Sequence, residues 1–88
     1  MVEKSIIIKN KSGLHARPAN EFVNAAKQFD SDIAVVKEGV KIDGKSILGV
    51  LTLGASKGSK VIISAEGKDE EEAVKKLTDL IESGFGEL

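Results

Sequence analysis

Short apolar runs alternate along the chain with two amphipathic segments of helical period, and few folds accommodate this alternation. From Pro18 to Phe29 the apolar residues recur at intervals of three and four, which predicts a helix with one apolar face. The same spacing returns from Asp69 to Ser83, where Asp69 is a predicted N-cap that forms a capping box with Glu72. Each helix needs an apolar surface to cover, and the runs between them supply it.

The apolar runs predict four β-strands. Two of these runs flank the dipeptide Glu38-Gly39, whose glycine permits the positive φ of a two-residue hairpin turn. The predicted strands span Val2–Lys9, Asp32–Lys37, Val40–Asp43 and Lys60–Ala65.

A short third helix is predicted over Ser46–Leu53. Serine is a favoured N-cap, and Gly54 is a favoured residue just beyond a helix C-terminus. The element order is therefore βαββαβα. In a chain of 88 residues this order predicts one α+β domain over 1–88, in which helices lie on one face of an antiparallel or mixed sheet.

Composition excludes several classes of function. The net charge is −1, the lysines are dispersed and there are no Trp or Tyr residues, which argues against nucleic-acid binding. With one histidine and no cysteine, we expect no metal site, no disulfide and no cofactor. No apolar run reaches the roughly 20 residues of a membrane span, and the first residues lack a signal-peptide layout. We therefore expect a cytoplasmic protein without membrane insertion.

The segment SGLHARPAN, residues 12–20, holds the only histidine, the only arginine and the only proline of the chain. Proline is favoured in the first helical turn, so we expect the helix to begin near Pro18 with His15 at its N-terminus. The unpaired amides of that turn, those of Ala16 and Arg17, and the helix dipole attract anions. The guanidinium of Arg17 adds a planar fork that matches phosphate oxygens.

A neutral imidazole at this position has a lone pair available for attack on phosphorus. The segment therefore predicts that His15 accepts a phosphoryl group and that Arg17 stabilises it, since phosphoryl transfer depends mainly on positioning and charge compensation. Gly13 allows the preceding loop to turn tightly. The residue types alone leave an ordinary surface histidine as the alternative.

The predicted short helix is too small to bury all of its apolar residues. Val50 and Leu53 are expected in the core, whereas the residues beside Ser46 form an exposed apolar patch of the kind that marks a docking face. Basic residues near this patch can steer an acidic partner, and Arg17, Lys27 and Lys45 are the candidates. The patch consists of Ile47, Leu48 and Leu51.

The motifs GLHARPA (13–19) and KSILGVLTLG (45–54) together closely resemble the HPr family, the histidine-containing phosphocarriers of the bacterial sugar phosphotransferase system. The resemblance spans essentially the whole chain, in length and in element order. It implies an HPr-like open-faced β-sandwich, in which three helices cover one face of a four-stranded antiparallel sheet.

The resemblance also implies roles for individual residues. His15 accepts a phosphoryl group on Nδ1 from phosphorylated enzyme I and passes it to the IIA domains of sugar permeases, while Arg17 helps to hold it. Ser46 matches a serine that an HPr kinase/phosphorylase modifies in Firmicutes, after which HPr binds a catabolite control transcription factor. The implied protein is a monomeric carrier and not a turnover enzyme. Three positions match residues that dock on enzyme I: Ile47, Leu48 and Leu51.

Three alternatives stay open at this point. An acylphosphatase-like enzyme also places an arginine in a phosphate-cradling loop, and it would hydrolyse substrate with turnover. A regulatory binding module acting through Ser46 would keep its function after His15→Ala. A carrier of the related nitrogen-type phosphotransferase circuit would keep the chemistry at His15 and change the partners.

Overall fold

A computed structural model describes residues 1–87 of the chain. Its four strands form one sheet in the order β1-β4-β2-β3, and every neighbouring pair is antiparallel. With the three helices, this arrangement confirms the predicted α+β fold and the βαββαβα order. The elements are β1 (Val2–Ile7), α1 (Ala16–Ala26), β2 (Asp32–Lys37), β3 (Val40–Asp43), α2 (Ile47–Leu53), β4 (Lys60–Glu66), α3 (Glu70–Glu82) and a 3₁₀ turn (Gly84–Gly86).

The core lies between the sheet and its helices. Ile6 pairs with Val61 and Val35 pairs with Ile63, and all four side chains are buried. Because paired residues in antiparallel strands share a face, these side chains form the covered surface of the sheet. The largest helical side chains buried in the core are Phe22, Leu77 and Ile81.

The opposite face of the sheet carries a different set of residues. Ser5 and Val36 both pair with Ile62, so the three side chains form one row across β1, β4 and β2. Ser5 is exposed, whereas Ile62 and Val36 are only half-buried. This contrast between the two faces confirms an open-faced sheet.

The hairpin between β2 and β3 turns at Glu38-Gly39, as predicted. Lys37 pairs with Val40, so the turn contains two residues. Both of them have positive φ, 50° at Glu38 and 81° at Gly39, which is the type I′ geometry that matches strand twist.

Two predicted element ends were wrong by a few residues. β1 ends at Ile7 instead of Lys9, although Ile8 still bonds to the backbone before β4 through Ser59 O at 2.9 Å. α1 ends at Ala26 instead of Phe29, because the last amides bond three residues back. Phe29 still packs against the core, so its place in the apolar pattern was correct.

The capping box predicted for Asp69 and Glu72 is wrong. Asp69 is the N-cap residue of α3 by position, but its carboxylate makes no capping hydrogen bond. It accepts hydrogen bonds from the amides of Asp30 and Ser31, at 2.9 and 3.0 Å, and from the Ser31 hydroxyl. The side chain therefore fastens the α1–β2 connection to the start of α3. These bonds, led by the one from the Ser31 hydroxyl, lower the pKa of Asp69.

We expect Asp69→Asn to lower the melting temperature by several degrees at neutral pH. A carboxylate with a lowered folded pKa stabilises the fold above its unfolded pKa, and this contribution disappears as the pH falls below about 4. The melting temperatures of the wild type and Asp69→Asn should therefore converge in acid, as scanning calorimetry between pH 7 and pH 3 would measure.

Asp79→Asn is the matched control on the same helix. The Asp79 carboxylate makes an exposed ion pair with Lys75 at 2.8 Å, and such pairs contribute little to stability. If Asp69→Asn lowers the melting temperature at neutral pH by no more than Asp79→Asn does, Asp69 does not fasten the α1–β2 connection to α3.

Candidate functional site

The segment around His15 is a short exposed stretch held between buried residues. Gly13 and Leu14 before it are buried, and so are Pro18 and Ala19 after it. The three residues in between, His15, Ala16 and Arg17, are all exposed. The buried neighbours anchor the segment, so its exposed side chains face solvent from a rigid support.

His15 is the N-cap residue of α1. Its backbone is extended, with φ −117° and ψ 158°, and its side chain makes no capping hydrogen bond. The imidazole is therefore exposed beside the first-turn amides, which have no acceptors within the helix. Ala16, the next residue, has φ 47°, a left-handed conformation that is costly for a residue other than glycine. The chain thus turns sharply between His15 and the helix.

The loop that precedes His15 packs tightly on the segment that follows α2. The Leu14 amide donates to Ala55 O at 2.9 Å. Gly13 has φ 62°, and a Cβ atom at this position would lie 2.4 Å from Ala55 O and 2.6 Å from Ser56 Cα. Only glycine allows this approach, so Gly13 joins the His15 loop to the end of α2.

Glu87 holds the same loop from its other side. Its Oε1 atom accepts hydrogen bonds from Asn10 Nδ2 at 2.9 Å and from the Ser12 hydroxyl at 2.9 Å. These bonds, with Asn10 as the larger cause, lower the pKa of Glu87. Asn10 is fully buried and also donates to Gly13 O at 2.9 Å. A residue near the C-terminus therefore fixes the loop that carries His15.

The exposed side chain of Arg17 has an ion-pair partner. Its Nε atom lies 3.3 Å from Oε1 of Glu21, one helical turn further along α1. The positive charge beside His15 is therefore already matched by a carboxylate.

α2 presents the predicted apolar patch. Leu48 is 70% exposed and Ile47 is 38% exposed, while Leu51 is half-buried and packs against the core. Val50 and Leu53 are buried, which confirms their predicted place in the core. Because Ala55, just after α2, bonds to Leu14, the helix that carries this patch adjoins the His15 loop at its C-terminal end.

Ser46 is the N-cap of α2, as predicted. Its Oγ atom accepts a hydrogen bond from the Gly49 amide at 3.1 Å. Gly54 ends the helix in the left-handed conformation, with φ 68°. The two caps explain why seven residues form a stable helix at this point.

The three candidate steering residues differ in their surroundings. Lys27 is exposed. Lys45 is half-buried, and its ammonium donates to Phe29 O at 2.7 Å, so it ties the start of α2 to the end of α1. Arg17 is also exposed but pairs with Glu21, so Arg17 and Lys27 are the two accessible candidates.

Sequence reasoning did not single out Glu21, Glu87, Asn10 or Ser12. Glu21 lies four residues after Arg17, and that helical spacing could have identified it. Glu87 is 77 positions from Asn10 and 75 positions from Ser12, so no local sequence pattern indicates their contact. Within residues 1–87, no three His, Asp or Glu side chains are grouped to bind a metal ion, and no helix is long and apolar enough to cross a membrane.

Comparison with known proteins identifies the family. A protein-family model described as "PTS HPr component phosphorylation site" matches residues 2–83. The phosphocarrier protein HPr of Neisseria meningitidis serogroup A is 47% identical over 87 residues, which are 99% of this chain and 98% of that protein. The chain belongs to the HPr family.

Solved HPr-family structures match over nearly the whole chain. A crystal structure of HPr from Thermoanaerobacter tengcongensis has a TM-score of 0.98 and 58% identity, covering 100% of this chain and 99% of that one. A crystal structure of Crh, a catabolite repression protein of Bacillus subtilis, is described as an intertwined dimer with a swapping domain. It has a TM-score of 0.77 and 40% identity, covering 96% and 97% of the two chains.

Membership of the HPr family confirms the resemblance seen in the two motifs. HPr proteins are phosphocarriers, so this HPr-family chain is a carrier and not a turnover enzyme. The acylphosphatase-like alternative is therefore wrong.

Proposed function

We propose that this protein carries a phosphoryl group on His15, taken from phosphorylated enzyme I and given to the IIA domains of sugar permeases. The observation that carries the proposal is an exposed imidazole at the N-cap of α1, beside Arg17. Membership of the HPr family supports the class of reaction.

The chemistry needs a nucleophile and an anion cradle. The lone pair of His15 Nδ1 forms a bond to phosphorus, and the bond from phosphorus to the donor nitrogen of enzyme I breaks, leaving its electron pair on that nitrogen. The amides of Ala16 and Arg17 and the Arg17 guanidinium offset the charge of the phosphoryl group. The same step in reverse order passes the group to a IIA domain.

The proposal is tested by incubation with phosphoenolpyruvate and enzyme I, followed by intact mass measurement. We expect one phosphate adduct for each chain, which is labile in acid and stable in base, as a phosphohistidine is. Continuous release of inorganic phosphate without an adduct, or no adduct at all, would overturn it.

We further propose that Ile47, Leu48 and Leu51 dock on enzyme I and the IIA domains. Two of the three side chains are exposed although they are apolar, and the C-terminal end of the helix that carries them adjoins the His15 loop. An exposed apolar patch beside a reactive group fits a protein that must bind partners transiently.

Leu48→Asp should lower the rate of phosphoryl transfer from subsaturating enzyme I about tenfold, because a charge at the centre of an apolar docking patch should cost at least about 1.4 kcal/mol of binding. The melting temperature should stay nearly unchanged, since Leu48 is exposed. Val40→Asp is the matched control: Val40 is an apolar residue, 56% exposed, on the β2–β3 hairpin. The rates are measured by quenching the reaction at set times and determining the intact mass. Equal rates for both variants would argue against the docking role.

Ser46 is proposed as a regulatory phosphorylation site for an HPr kinase/phosphorylase, with a catabolite control transcription factor as the partner of the modified form. A phosphate there would sit at a helix N-cap and add about two negative charges beside the docking patch. Relatives named for catabolite repression support this regulatory class. Incorporation of phosphate from ATP into the wild type but not into Ser46→Ala would support it, and no incorporation with an active kinase would contradict it.

Domain organisation, cellular location and oligomeric state complete the proposal. We propose a single domain over 1–88 that acts in the cytoplasm as a monomer. The swapped dimer described for Crh makes oligomeric state a point to measure, by light scattering on a sizing column. A nitrogen-type circuit is distinguished by which IIA domain accepts the phosphoryl group.

A further inference from the structure

We propose that Glu21 is a resident counter-ion for Arg17, which competes with the phosphoryl group for the guanidinium and keeps the phosphorylated state from becoming too stable. This inference rests on the proposed carrier function of His15. It names Glu21 as a positioning residue, because it acts through Arg17 and not on the phosphoryl group itself.

The charge pattern of α1 supports a special role for this pair. Arg17 and Glu21 are the only charged residues in Ala16–Ala26, and their side chains meet at 3.3 Å. The other polar residues of the helix are uncharged. The single ion pair of α1 therefore lies at the residue that flanks His15.

Helix stability does not explain the pair. A cation in the first turn is disfavoured by the positive end of the helix dipole. The order of the pair, with the basic residue before the acidic one, is also the less stabilising of the two orders at this spacing. Arg17 is thus poorly placed for the helix, and it follows His15 by only two residues. Glu21 supplies the balancing charge when no phosphoryl group is present.

The pair also has a direct consequence for binding. The Nε atom of Arg17 belongs to one of the two guanidinium edges that can pair with two phosphate oxygens, and Glu21 already contacts that edge. A phosphoryl group on His15 must displace the carboxylate or use the remaining N–H groups. If the phosphoryl group displaces the carboxylate, the free energy of the resident pair is subtracted from its stabilisation. If it uses the remaining N–H groups, the nearby carboxylate charge weakens the attraction of the guanidinium for it. Glu87 also lies within the electrostatic influence of Arg17, but it is held by Asn10 and Ser12.

The test compares wild type and Glu21→Gln at a fixed ratio of phosphoenolpyruvate to pyruvate, with catalytic enzyme I. The fraction of phosphorylated chain at equilibrium is read from intact mass. We expect the equilibrium constant for phosphorylation to rise about two- to fivefold in Glu21→Gln, the range expected for an exposed ion pair. The rise should shrink in high salt, which screens exposed charges.

Two controls make the result specific. Glu71→Gln, at an exposed carboxylate in the first turn of α3, changes the net charge equally and should leave the equilibrium unchanged. In an Arg17→Ala background, Glu21→Gln should leave the equilibrium constant unchanged, because the guanidinium for which Glu21 and the phosphoryl group compete is gone.

The outcomes separate this inference from the proposed function. If the wild type is phosphorylated on His15 and Glu21→Gln has the same equilibrium constant, the counter-ion role is wrong and the carrier function stands. An undiminished effect in the Arg17→Ala background would also overturn it, since Glu21 would then act without Arg17. If the wild type takes up no phosphate, the carrier function itself is wrong.

Discussion

Loss of His15 is expected to reduce phosphate uptake from phosphorylated enzyme I to background. His15→Ala removes the only imidazole of the chain, so the amides and Arg17 would still attract an anion but no imidazole nitrogen would remain to form the bond to phosphorus. The fold should be unaffected, because the exposed His15 side chain makes no capping hydrogen bond. Intact mass after incubation with phosphoenolpyruvate and enzyme I, together with the melting temperature, measures both expectations.

Asn24→Ala is the control for this experiment, since Asn24 is an exposed residue on the same helix. It should take up one phosphate, as the wild type does. Equal uptake by His15→Ala would show that the phosphoryl group is attached elsewhere, and the proposed function would then fail. Uptake by His15→Ala from ATP and a kinase would not count against it, because that reaction concerns Ser46.

The second large effect is expected at Gly13. In Gly13→Ala the new methyl group would lie 2.4 Å from Ala55 O and 2.6 Å from Ser56 Cα, so one of the two backbone segments must move. The left-handed φ of 62° adds its own penalty. Overpacking and backbone strain each cost about 1–3 kcal/mol, which together is a large part of the stability of a small domain.

Gly13→Ala should also slow phosphoryl transfer, because the displaced loop carries His15. Gly54→Ala is the matched control: Gly54 has a similar φ of 68°, but nothing lies within 4 Å of its would-be Cβ. That variant should show only the backbone penalty, about 1–2 kcal/mol. Urea unfolding curves measure the free energy of unfolding of the two variants. Equal decreases in this free energy would contradict the close approach of Gly13 to Ala55.

Much of this architecture could be predicted because its signals are local. Pro18 marked the start of α1, Glu38-Gly39 marked the hairpin, and Ser46 with Gly54 bounded α2. In each case the residues that determine the conformation are neighbours in sequence, so their preferences can be interpreted without the rest of the fold.

The parts that could not be predicted depend on distant partners. Asp69 is a favoured N-cap residue with a glutamate three positions later, yet its carboxylate bonds to amides 38 and 39 residues away. Only the folded chain brings those amides within reach of the Asp69 carboxylate. Three hydrogen bonds to the carboxylate, from two backbone amides and one hydroxyl, are then more favourable than a single capping bond from a first-turn amide. The link between Glu87 and Ser12 is of the same kind, since nothing near either residue indicates the other.

The link between Glu87 and the His15 loop bears on how the protein is handled in the laboratory. An affinity tag or dye joined after Leu88 would begin two residues from Glu87, whose carboxylate supports the reactive segment. A fusion before Met1 removes only the ion pair between the Met1 ammonium and Glu70, 3.3 Å apart at the start of α3, and leaves the bonds of Glu87 in place.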